Sequence, residues 1–225
     1  MELDVIIPAY NEEENLVKLY ETLETNLSDI KHNLIFIDDG SKDNTYNVLE
    51  SLYKKNSNII KIIRFSRNFG KDAAIYAGLK RSKASYACII DADMQQNPKL
   101  IKDMLKVLKE NEEYDMVAMV NDYSNESFLS KTLKKSFYFI MNKACDQKFK
   151  AGASDFRLLR DYVVKSLVSM SENNRFTKGL FSWVGYNTYY MDYKAGKREY
   201  GKSKFRLKKQ INYATDGLIN FSTKP

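Results

Sequence analysis

The sequence predicts an α/β fold with a mostly parallel sheet that carries helices on both faces. The first 120 residues alternate short apolar runs with segments whose apolar residues recur at helical spacing. The apolar runs are nearly continuous, which is typical of strands buried on both faces of a parallel sheet. Polar clusters follow four of these runs, at the sheet edge where such folds bind their ligands.

Five strands with helices between them are expected in this first part. The predicted strands are residues 3–7, 34–37, 59–65, 86–90 and 115–120. The first helix is expected to be capped by Asn11, with Glu14 three positions on as the reciprocal partner. The later helices are predicted at residues 45–55, 72–81 and 98–109.

The second part of the chain is less regular. We predict a helix at 128–145, a short strand at 155–159, a helix at 161–170 and a mostly extended aromatic segment at 181–193. In residues 203–221, Leu207, Ile211, Ala214, Leu218 and Phe221 step by four and three, which predicts an amphipathic helix. The chain is therefore divided into one globular domain over residues 1–202 and a surface helix within residues 203–225.

Composition excludes several classes of protein. The 225 residues include two cysteines, Cys88 and Cys145, that lie too far apart for a zinc knuckle or a disulfide framework. Cys88 falls inside a predicted strand and is expected in the core. The single histidine, His32, excludes a His-rich metal site and is expected at the surface without partners. No dinucleotide fingerprint, P-loop or nucleophile elbow occurs, and no apolar run is long enough to span a bilayer.

Positive charge is concentrated near the end of the sequence. The chain has 36 basic and 29 acidic residues, a net charge of +7. Residues 194–209 contain eight basic residues against Glu199, so this segment alone accounts for the whole excess. A basic block with aromatic residues between the charges predicts an anionic partner such as phosphates or a membrane surface. Nucleic acid is disfavoured, because no recognition fold accompanies the block.

Paired carboxylates follow the fourth predicted strand. Asp91 and Asp93 are two positions apart, and Gln95 offers a third oxygen. Hard oxygen ligands with open positions suit Mg²⁺ or Mn²⁺ bound to the phosphates of a substrate. Asp39, at the end of the second strand, offers acceptors to a base or ribose, and Lys71 adds a cation at the same edge. Taken alone, DDGS at 38–41 is better explained as a strand-to-helix turn with Asp43 or Asn44 as the helix cap, and Arg67 and Lys71 as a solvated pair.

Several segments of the chain form recognisable motifs. In the first half these are VIIPAYNEE at 5–13, IDDGS at 37–41, SRNFGK at 66–71 and DADMQ at 91–95. In the second half they are DFRLL at 155–159, RFTKGLFSWVG at 175–185, the pattern R-x-x-G-x-S-K at 198–204 and DGLINFS at 216–222. Together these segments resemble glycosyltransferase family 2, in particular its polyprenyl-phosphate sugar transferases (bactoprenol glucosyltransferases and dolichol-phosphate mannose synthases), and those of the second half are similar to the bactoprenol branch.

This resemblance implies a Rossmann-like glycosyltransferase A fold and an inverting, metal-dependent transfer of a hexose from a nucleotide sugar. The nucleotide would be UDP and the sugar glucose. The implied nucleotide-binding residues are Pro8, Tyr10, Glu12, Asp39, Lys71 and Asp91. The implied ligands of Mg²⁺ or Mn²⁺ are Asp91, Asp93 and Gln95, and the implied catalytic residues are Asp155 and Asp93.

The resemblance also implies undecaprenyl phosphate as the acceptor, bound by Arg175, Arg198, Ser203 and Lys204. The protein would then be peripheral on the cytoplasmic face of the membrane, with the basic helix in contact with anionic lipids. Many relatives continue into transmembrane helices beyond the final Phe-Ser-Thr-x-Pro element, and we expect this chain to have none. Homo-oligomers occur among relatives, although no seam in this sequence predicts one.

Two alternatives stay open from the sequence. Relatives that use polyprenyl phosphate usually carry cations just after the fifth strand, where this chain has NDYSNE at 121–126. That difference favours the same donor chemistry on another acceptor, such as a cell-surface polymer or another glycan. A nucleotide-sugar-binding protein without catalysis is the other alternative. The presence of Asp91, Asp93, Asp155 and Arg198 argues against it.

Overall fold

The structure, a computed structural model, describes residues 1–121, 150, 152–170, 177–194 and 196. Seven strands lie in these ranges: β1 Leu3–Ala9, β2 His32–Asp38, β3 Ile60–Arg64, β4 Tyr86–Ile89, β5 Met116–Asn121, β6 Ala153–Arg160 and β7 Thr188–Tyr193. Six helices lie there too: α1 Leu16–Leu27, α2 Thr45–Lys55, α3 Lys71–Arg81, α4 Leu100–Glu110, α5 Asp161–Ser169 and α6 Thr177–Trp183.

The seven described strands form one sheet in the order β3-β2-β1-β4-β6-β5-β7. β1 pairs in parallel with β2 and β4, β2 pairs in parallel with β3, and β5 pairs in parallel with β7. β6 is antiparallel to both of its neighbours, β4 and β5. The mostly parallel sheet predicted from the sequence is therefore confirmed, with one reversed strand near its middle.

Helices cover both faces of the sheet, as predicted. One core cluster contains the buried side chains of α1, α2 and α4, and the other contains those of α3, α5 and α6. α1 shows how the sequence produces this packing, because its buried leucines recur every three or four residues: Leu16, Leu19, Leu23 and Leu27. Cys88 is fully buried between the layers, which confirms its place in the core.

The start of β2 corrects the expectation for His32. The strand begins at this residue, and the ring is 7% exposed instead of lying at the surface. Nε2 lies 2.9 Å from Oε1 of Glu24, and Nδ1 lies 2.8 Å from the carbonyl oxygen of Ile30. The prediction failed because both partners come from α1 and the turn after it, which a strand pattern does not reveal.

The start of α1 corrects the predicted cap. The helix begins at Leu16, and Asn11 lies outside it with a left-handed φ of 52°. The side-chain oxygen of Asn11 instead accepts a hydrogen bond from the backbone N–H of Lys42 at 2.8 Å. The side chain that the pattern assigns to a helix cap therefore joins two loops.

The extended segment predicted at 181–193 is correct only in its second part. Residues up to Trp183 belong to α6, whose Leu180 and Phe181 are buried in the second core cluster, whereas β7 begins at Thr188. The aromatic composition favoured a strand, and burial against the sheet overrides that preference.

The helices predicted at 128–145 and 203–221 lie outside the described residues. Within the described ranges, no helix is long and apolar enough to cross a membrane.

Candidate active site

The reversed strand β6 brings Asp155 and Asp91 to the same edge of the sheet. Ile89 of β4 pairs with Arg157 of β6. Asp91 lies two residues after Ile89, and Asp155 lies two residues before Arg157, so the antiparallel pairing moves both toward the same end. That end is also the carboxyl edge of the parallel strands, where the polar loops were predicted to meet.

Lys71 connects the two carboxylates. Its Nζ lies 2.6 Å from Oδ1 of Asp91 and 2.9 Å from Oδ2 of Asp155. Burial acts to lower the pKa of Lys71, but the negative charges of Asp155 and Asp91 outweigh it, so the pKa is raised and the ammonium is charged at neutral pH. Because 41% of the Lys71 side chain is still exposed, solvent weakens both ion pairs.

Gln96 fixes the orientation of Asp91. The backbone N–H of Asp91 donates to Oε1 of Gln96 at 2.9 Å, and Nε2 of Gln96 donates to Oδ2 of Asp91 at 3.0 Å. The Gln96 residue is 5% exposed, so little water competes for these two hydrogen bonds. One carboxylate oxygen of Asp91 is therefore bound to an amide and the other to the Lys71 ammonium.

Negative charge exceeds positive charge around Lys71. Burial raises the pKa of Asp91, and the charges of Asp155 and Asp93 raise it further, against the effect of Lys71. Burial also raises the pKa of Asp72, with a contribution from Asp155, although hydrogen bonding from Thr177 opposes the shift. Two carboxylates thus contact the Lys71 ammonium, the charges of Asp93 and Asp72 also act on this group, and a bound cation would relieve the repulsion between the carboxylates.

The loop that carries Asp93 is tied together by backbone groups. The N–H of Gln95 donates to Oδ1 of Asp93 at 3.1 Å, and Met94 between them has a left-handed φ of 61°. The N–H of Gly196 donates to the carbonyl oxygen of Gln95 at 2.8 Å. The side-chain amide of Gln95 points to the carbonyl oxygen of Gly196 at 3.4 Å, so its oxygen-ligand role stays a prediction.

Tyr193, the last residue of β7, adds an aromatic wall to this region. The residue is 9% exposed, and its ring meets that of Phe156 edge to face with 6.2 Å between centroids. Burial raises the pKa of Tyr193; a hydrogen bond with Ser154 opposes this, and the charges of Asp91 and Asp93 add to it. Tyr193 therefore packs against the residue that directly follows Asp155 in β6.

The loops that follow β1 and β2 are joined by hydrogen bonds. The N–H of Asn11 donates to Oγ of Ser41 at 2.9 Å, and the N–H of Glu12 donates to Oγ1 of Thr45 at 2.8 Å. The residues Pro8, Tyr10 and Glu12 are partly exposed here, at the end of β1 and in the loop after it. Their position at this edge is compatible with the predicted contact with a nucleotide.

Asp39 organises the loop that leads into α3. Its Oδ1 accepts a hydrogen bond from the N–H of Phe69 at 2.7 Å, and its Oδ2 accepts from the N–H of Gly70 at 3.0 Å and the side chain of Asn68 at 2.8 Å. Burial raises the pKa of Asp39, while the hydrogen bonds from Phe69 and Gly70 oppose the shift. Asp39 therefore fixes the backbone directly before Lys71, and its predicted contact with a base or ribose stays untested.

The residues present fit a divalent cation that is completed by substrate oxygens. Asp91 and Asp93 supply hard carboxylate oxygens, and the surplus negative charge around Lys71 favours a cation. Among residues 1–121, 150, 152–170, 177–194 and 196, no three His, Cys, Asp or Glu side chains are grouped as a complete metal site. Phosphate oxygens of a bound nucleotide would therefore be required to complete the coordination.

Some residues of this site were predicted from the sequence, and others were not. The structure brings Lys71, Asp91 and Asp155 into direct contact. It also contains Asp72, Gln96 and Tyr193, which no motif pointed to; the position of Gln96 within the polar loop after Asp91 was the one available signal. The predicted acceptor residues Arg175, Arg198, Ser203 and Lys204 lie outside the described residues.

The architecture is that of the glycosyltransferase A fold. The chain superposes with a TM-score of 0.67 and 15% identity on glucosyl-3-phosphoglycerate synthase from Mycobacterium tuberculosis in complex with phosphoglyceric acid, covering 100% of this chain and 81% of that one. A complex of the same synthase with Mn²⁺ and UDP-glucose matches at a TM-score of 0.65 and 16% identity over 95% and 75% of the two chains. Staphylococcus aureus TarS 1–349 in complex with UDP-GlcNAc matches with a TM-score of 0.60 and 15% identity, covering 100% of this chain and 68% of that one.

Within that class, the chain belongs to glycosyl transferase family 2, whose model matches residues 4–168. It is 33% identical to the prophage bactoprenol glucosyl transferase homolog of Escherichia coli, over 100% of this chain and 74% of the relative. It is also 33% identical to the bactoprenol glucosyl transferase of Shigella phage SfV, over 100% of this chain and 73% of the relative. The chain is thus a glycosyltransferase by fold and by family.

Proposed function

We propose that this chain transfers glucose from UDP-glucose to undecaprenyl phosphate, with inversion at the anomeric carbon, at the cytoplasmic face of a membrane. The observation that carries the proposal is the similarity over the whole chain to proteins named bactoprenol glucosyl transferase. The cluster of Lys71, Asp91 and Asp155 supports it, because a glycosyltransferase must stabilise the charge of a departing diphosphate.

The chemistry requires one bond to form and one to break. An oxygen of the acceptor phosphate attacks the anomeric carbon, and the bond from that carbon to the diphosphate oxygen breaks, so that UDP leaves. Mg²⁺ or Mn²⁺ bound by Asp91 and Asp93 would neutralise charge on the leaving diphosphate. Lys71 lies beside Asp91 and brings a second positive charge to the same place.

We assign Asp155 to orientation more than to removal of a proton. A phosphate monoester has its second pKa near ~6, so the acceptor is largely ionised at neutral pH and needs no strong base. Asp155 is bound to the Lys71 ammonium, which suits a carboxylate that stays charged and holds its neighbours in place. The variant Asp155→Asn should therefore lose turnover at every pH. Turnover that recovers steeply with rising pH or added base would contradict this role.

The acceptor is the part of the proposal that needs the most direct test. The purified protein is incubated with UDP-glucose, UDP-GlcNAc or GDP-mannose and Mn²⁺ or Mg²⁺, with and without undecaprenyl phosphate, and labelled lipid is counted. We expect product only with UDP-glucose, a cation and the lipid, and a loss of at least about 100-fold in Asp93→Asn. Asp103→Asn, on the exposed side of α4, is the control and should match the unchanged protein.

A second acceptor class is favoured by the sequence that follows β5. The segment at 121–126 has no cation, whereas polyprenyl-phosphate transferases usually have basic residues there. Under this alternative the same donor would glucosylate another glycan. Transfer of labelled glucose to an oligosaccharide or wall-polymer acceptor, with none to undecaprenyl phosphate, would favour the alternative.

A further inference from the structure

Gly196 contacts the loop of the acidic pair through two backbone groups. Its N–H donates to the carbonyl oxygen of Gln95 at 2.8 Å, and its carbonyl oxygen faces the side-chain amide of Gln95 at 3.4 Å. Gly196 follows β7 in the chain, whereas Gln95 follows β4. The contact therefore links two segments that are far apart in sequence and are not neighbouring strands of the sheet.

The loop held by Gly196 has a conformation that needs support. Met94 adopts a left-handed φ of 61°, which residues other than glycine rarely adopt. Directly after it, the N–H of Gln95 donates to the Asp93 carboxylate at 3.1 Å. Gly196 binds the carbonyl of Gln95, and the N–H of the same residue, in the preceding peptide group, binds Asp93, so restraint of the Gln95 backbone also affects where the Asp93 carboxylate lies.

The proposal rests on the function given above. We propose that Gly196 is a positioning residue for nucleotide binding, because its N–H restrains the backbone of Gln95 at the carbonyl, and through the N–H of Gln95 keeps Asp93 in the orientation that receives the cation and diphosphate. Tyr193 lies three positions earlier, and its ring packs edge to face against that of Phe156, the residue after Asp155.

Two substitutions separate the N–H group from the rest of the residue. In Gly196→Ala the added Cβ would lie 3.6 Å from the carbonyl oxygens of Gln95 and Met94, an ordinary contact, and the N–H is kept. In Gly196→Pro the N–H is absent. We expect Gly196→Ala to bind UDP with Mn²⁺ within about twofold of the unchanged protein, and Gly196→Pro to bind about 10- to 100-fold more weakly by calorimetry.

Amide exchange tests the same contact without relying on the proline variant. The chain has nine glycines, so selective labelling with ¹⁵N-glycine gives a simple spectrum, and Gly196→Ala identifies the Gly196 signal by its loss. We expect this amide to exchange slowly in the ligand-free protein, and more slowly when UDP and Mg²⁺, which unlike Mn²⁺ is diamagnetic, are added, because coupling between the two events is reciprocal.

Each result bears on one of the two proposals. Fast exchange of the Gly196 amide in the ligand-free protein overturns the inference, and so does unchanged UDP affinity in a folded Gly196→Pro protein. If Gly196→Pro does not fold, the exchange data from the unchanged protein decide the question. A protein that binds no UDP with either cation contradicts the proposed function instead, while exchange in its ligand-free form still reports on the contact.

Discussion

Nζ of Lys71 lies 2.9 Å from Oδ2 of Asp155, which joins the start of α3 to the reversed strand β6. The same nitrogen lies 2.6 Å from Asp91, at the end of β4. The three side chains come from separate parts of the sequence, and the antiparallel direction of β6 is what allows them to meet. This ammonium therefore connects the residues predicted for the donor with the residue predicted for catalysis.

Removal of the Lys71 charge should impair both activity and folding stability. In Lys71→Met, Asp91 and Asp155 repel each other without a counterion, so we expect kcat/KM to fall at least about 100-fold. The free energy of unfolding should fall by only about 1 kcal/mol, because the lysine is partly exposed and solvent weakens its ion pairs. Steady-state kinetics and urea denaturation measure the two effects.

Two further variants make the test of Lys71 specific. Lys71→Arg keeps the charge and should retain more activity than Lys71→Met, whereas Lys80→Met, at an exposed position in the last turn of α3, should change neither quantity. Equal activity of the Met and Arg variants at position 71 would show that the charge of this residue is not used.

Gln96 should contribute to cation affinity, although no sequence motif pointed to this residue. Gln96→Leu removes both hydrogen bonds to Asp91 and frees the carboxylate to rotate. Loss of a group that orients a metal ligand typically weakens metal binding 10- to 100-fold, and we expect a decrease of that size in Mn²⁺ affinity measured with UDP present. Asn97→Leu, next in the chain and exposed, is the control; if both variants bind Mn²⁺ equally, Gln96 has no such role.

Gly40 should tolerate no side chain. It has a φ of +65°, and a Cβ at this position would lie 2.3 Å from the backbone carbon of Arg67, so the loop before Lys71 would have to move. Gly185 has a similar φ of +73°, but a Cβ there would have no atom within 4 Å. Gly185→Ala is therefore a matched control that measures the cost of the positive φ without a clash. We expect Gly185→Ala to destabilise the protein by about 1 kcal/mol.

At Gly40 the clash with the Arg67 backbone adds to the cost of the positive φ. We expect Gly40→Ala to reduce the free energy of unfolding by about 2–4 kcal/mol, because overpacking against backbone usually costs about 1–3 kcal/mol beyond the cost of the positive φ. It should also weaken UDP binding, since Asp39 and Arg67 lie in the displaced loops. Urea denaturation of both variants decides; an equal loss in the two would mean that the Arg67 backbone moves aside freely.

Stability at low pH should depend on Asp4. This residue is fully buried near the start of β1, at the opposite edge of the sheet from the candidate active site. Burial alone would raise its pKa, but hydrogen bonds from Asn33, Lys83, Ser82 and Ala84 outweigh this, and the pKa is lowered from 3.8. A folded-state pKa below the unfolded one means that this stabilisation is present above about pH 4 and is lost as the pH falls through the folded value.

Asp4→Asn should remove that pH-dependent stabilisation. We expect a loss of about 2 kcal/mol at pH 7, because the amide offers one acceptor oxygen where the carboxylate offers two. The stability difference between the two proteins should shrink below pH 4. Urea denaturation between pH 3 and pH 7 checks this, with Asp103→Asn as the exposed control; a difference that stays constant with pH would contradict the linkage.

The sequence allowed the fold and part of the site to be predicted because those features depend on local patterns. Continuous apolar runs identified the buried strands, and polar residues at their ends identified Asp91 and Lys71. The pattern could not reveal the direction of β6, which depends on pairing with β4 and β5. It also missed the partners of His32 and Gln96, because a side-chain contact depends on the tertiary neighbour as well as on the residue type.

The most direct test of the account is a calorimetric titration of UDP into the protein with and without Mn²⁺, repeated for Asp93→Asn. If Asp91 and Asp93 hold a cation on the diphosphate, Mn²⁺ should strengthen UDP binding at least about tenfold in the unchanged protein. That gain should be absent in Asp93→Asn and preserved in Asp103→Asn. UDP affinity that is the same with and without Mn²⁺, or a gain that survives in Asp93→Asn, would contradict the assignment of this acidic pair.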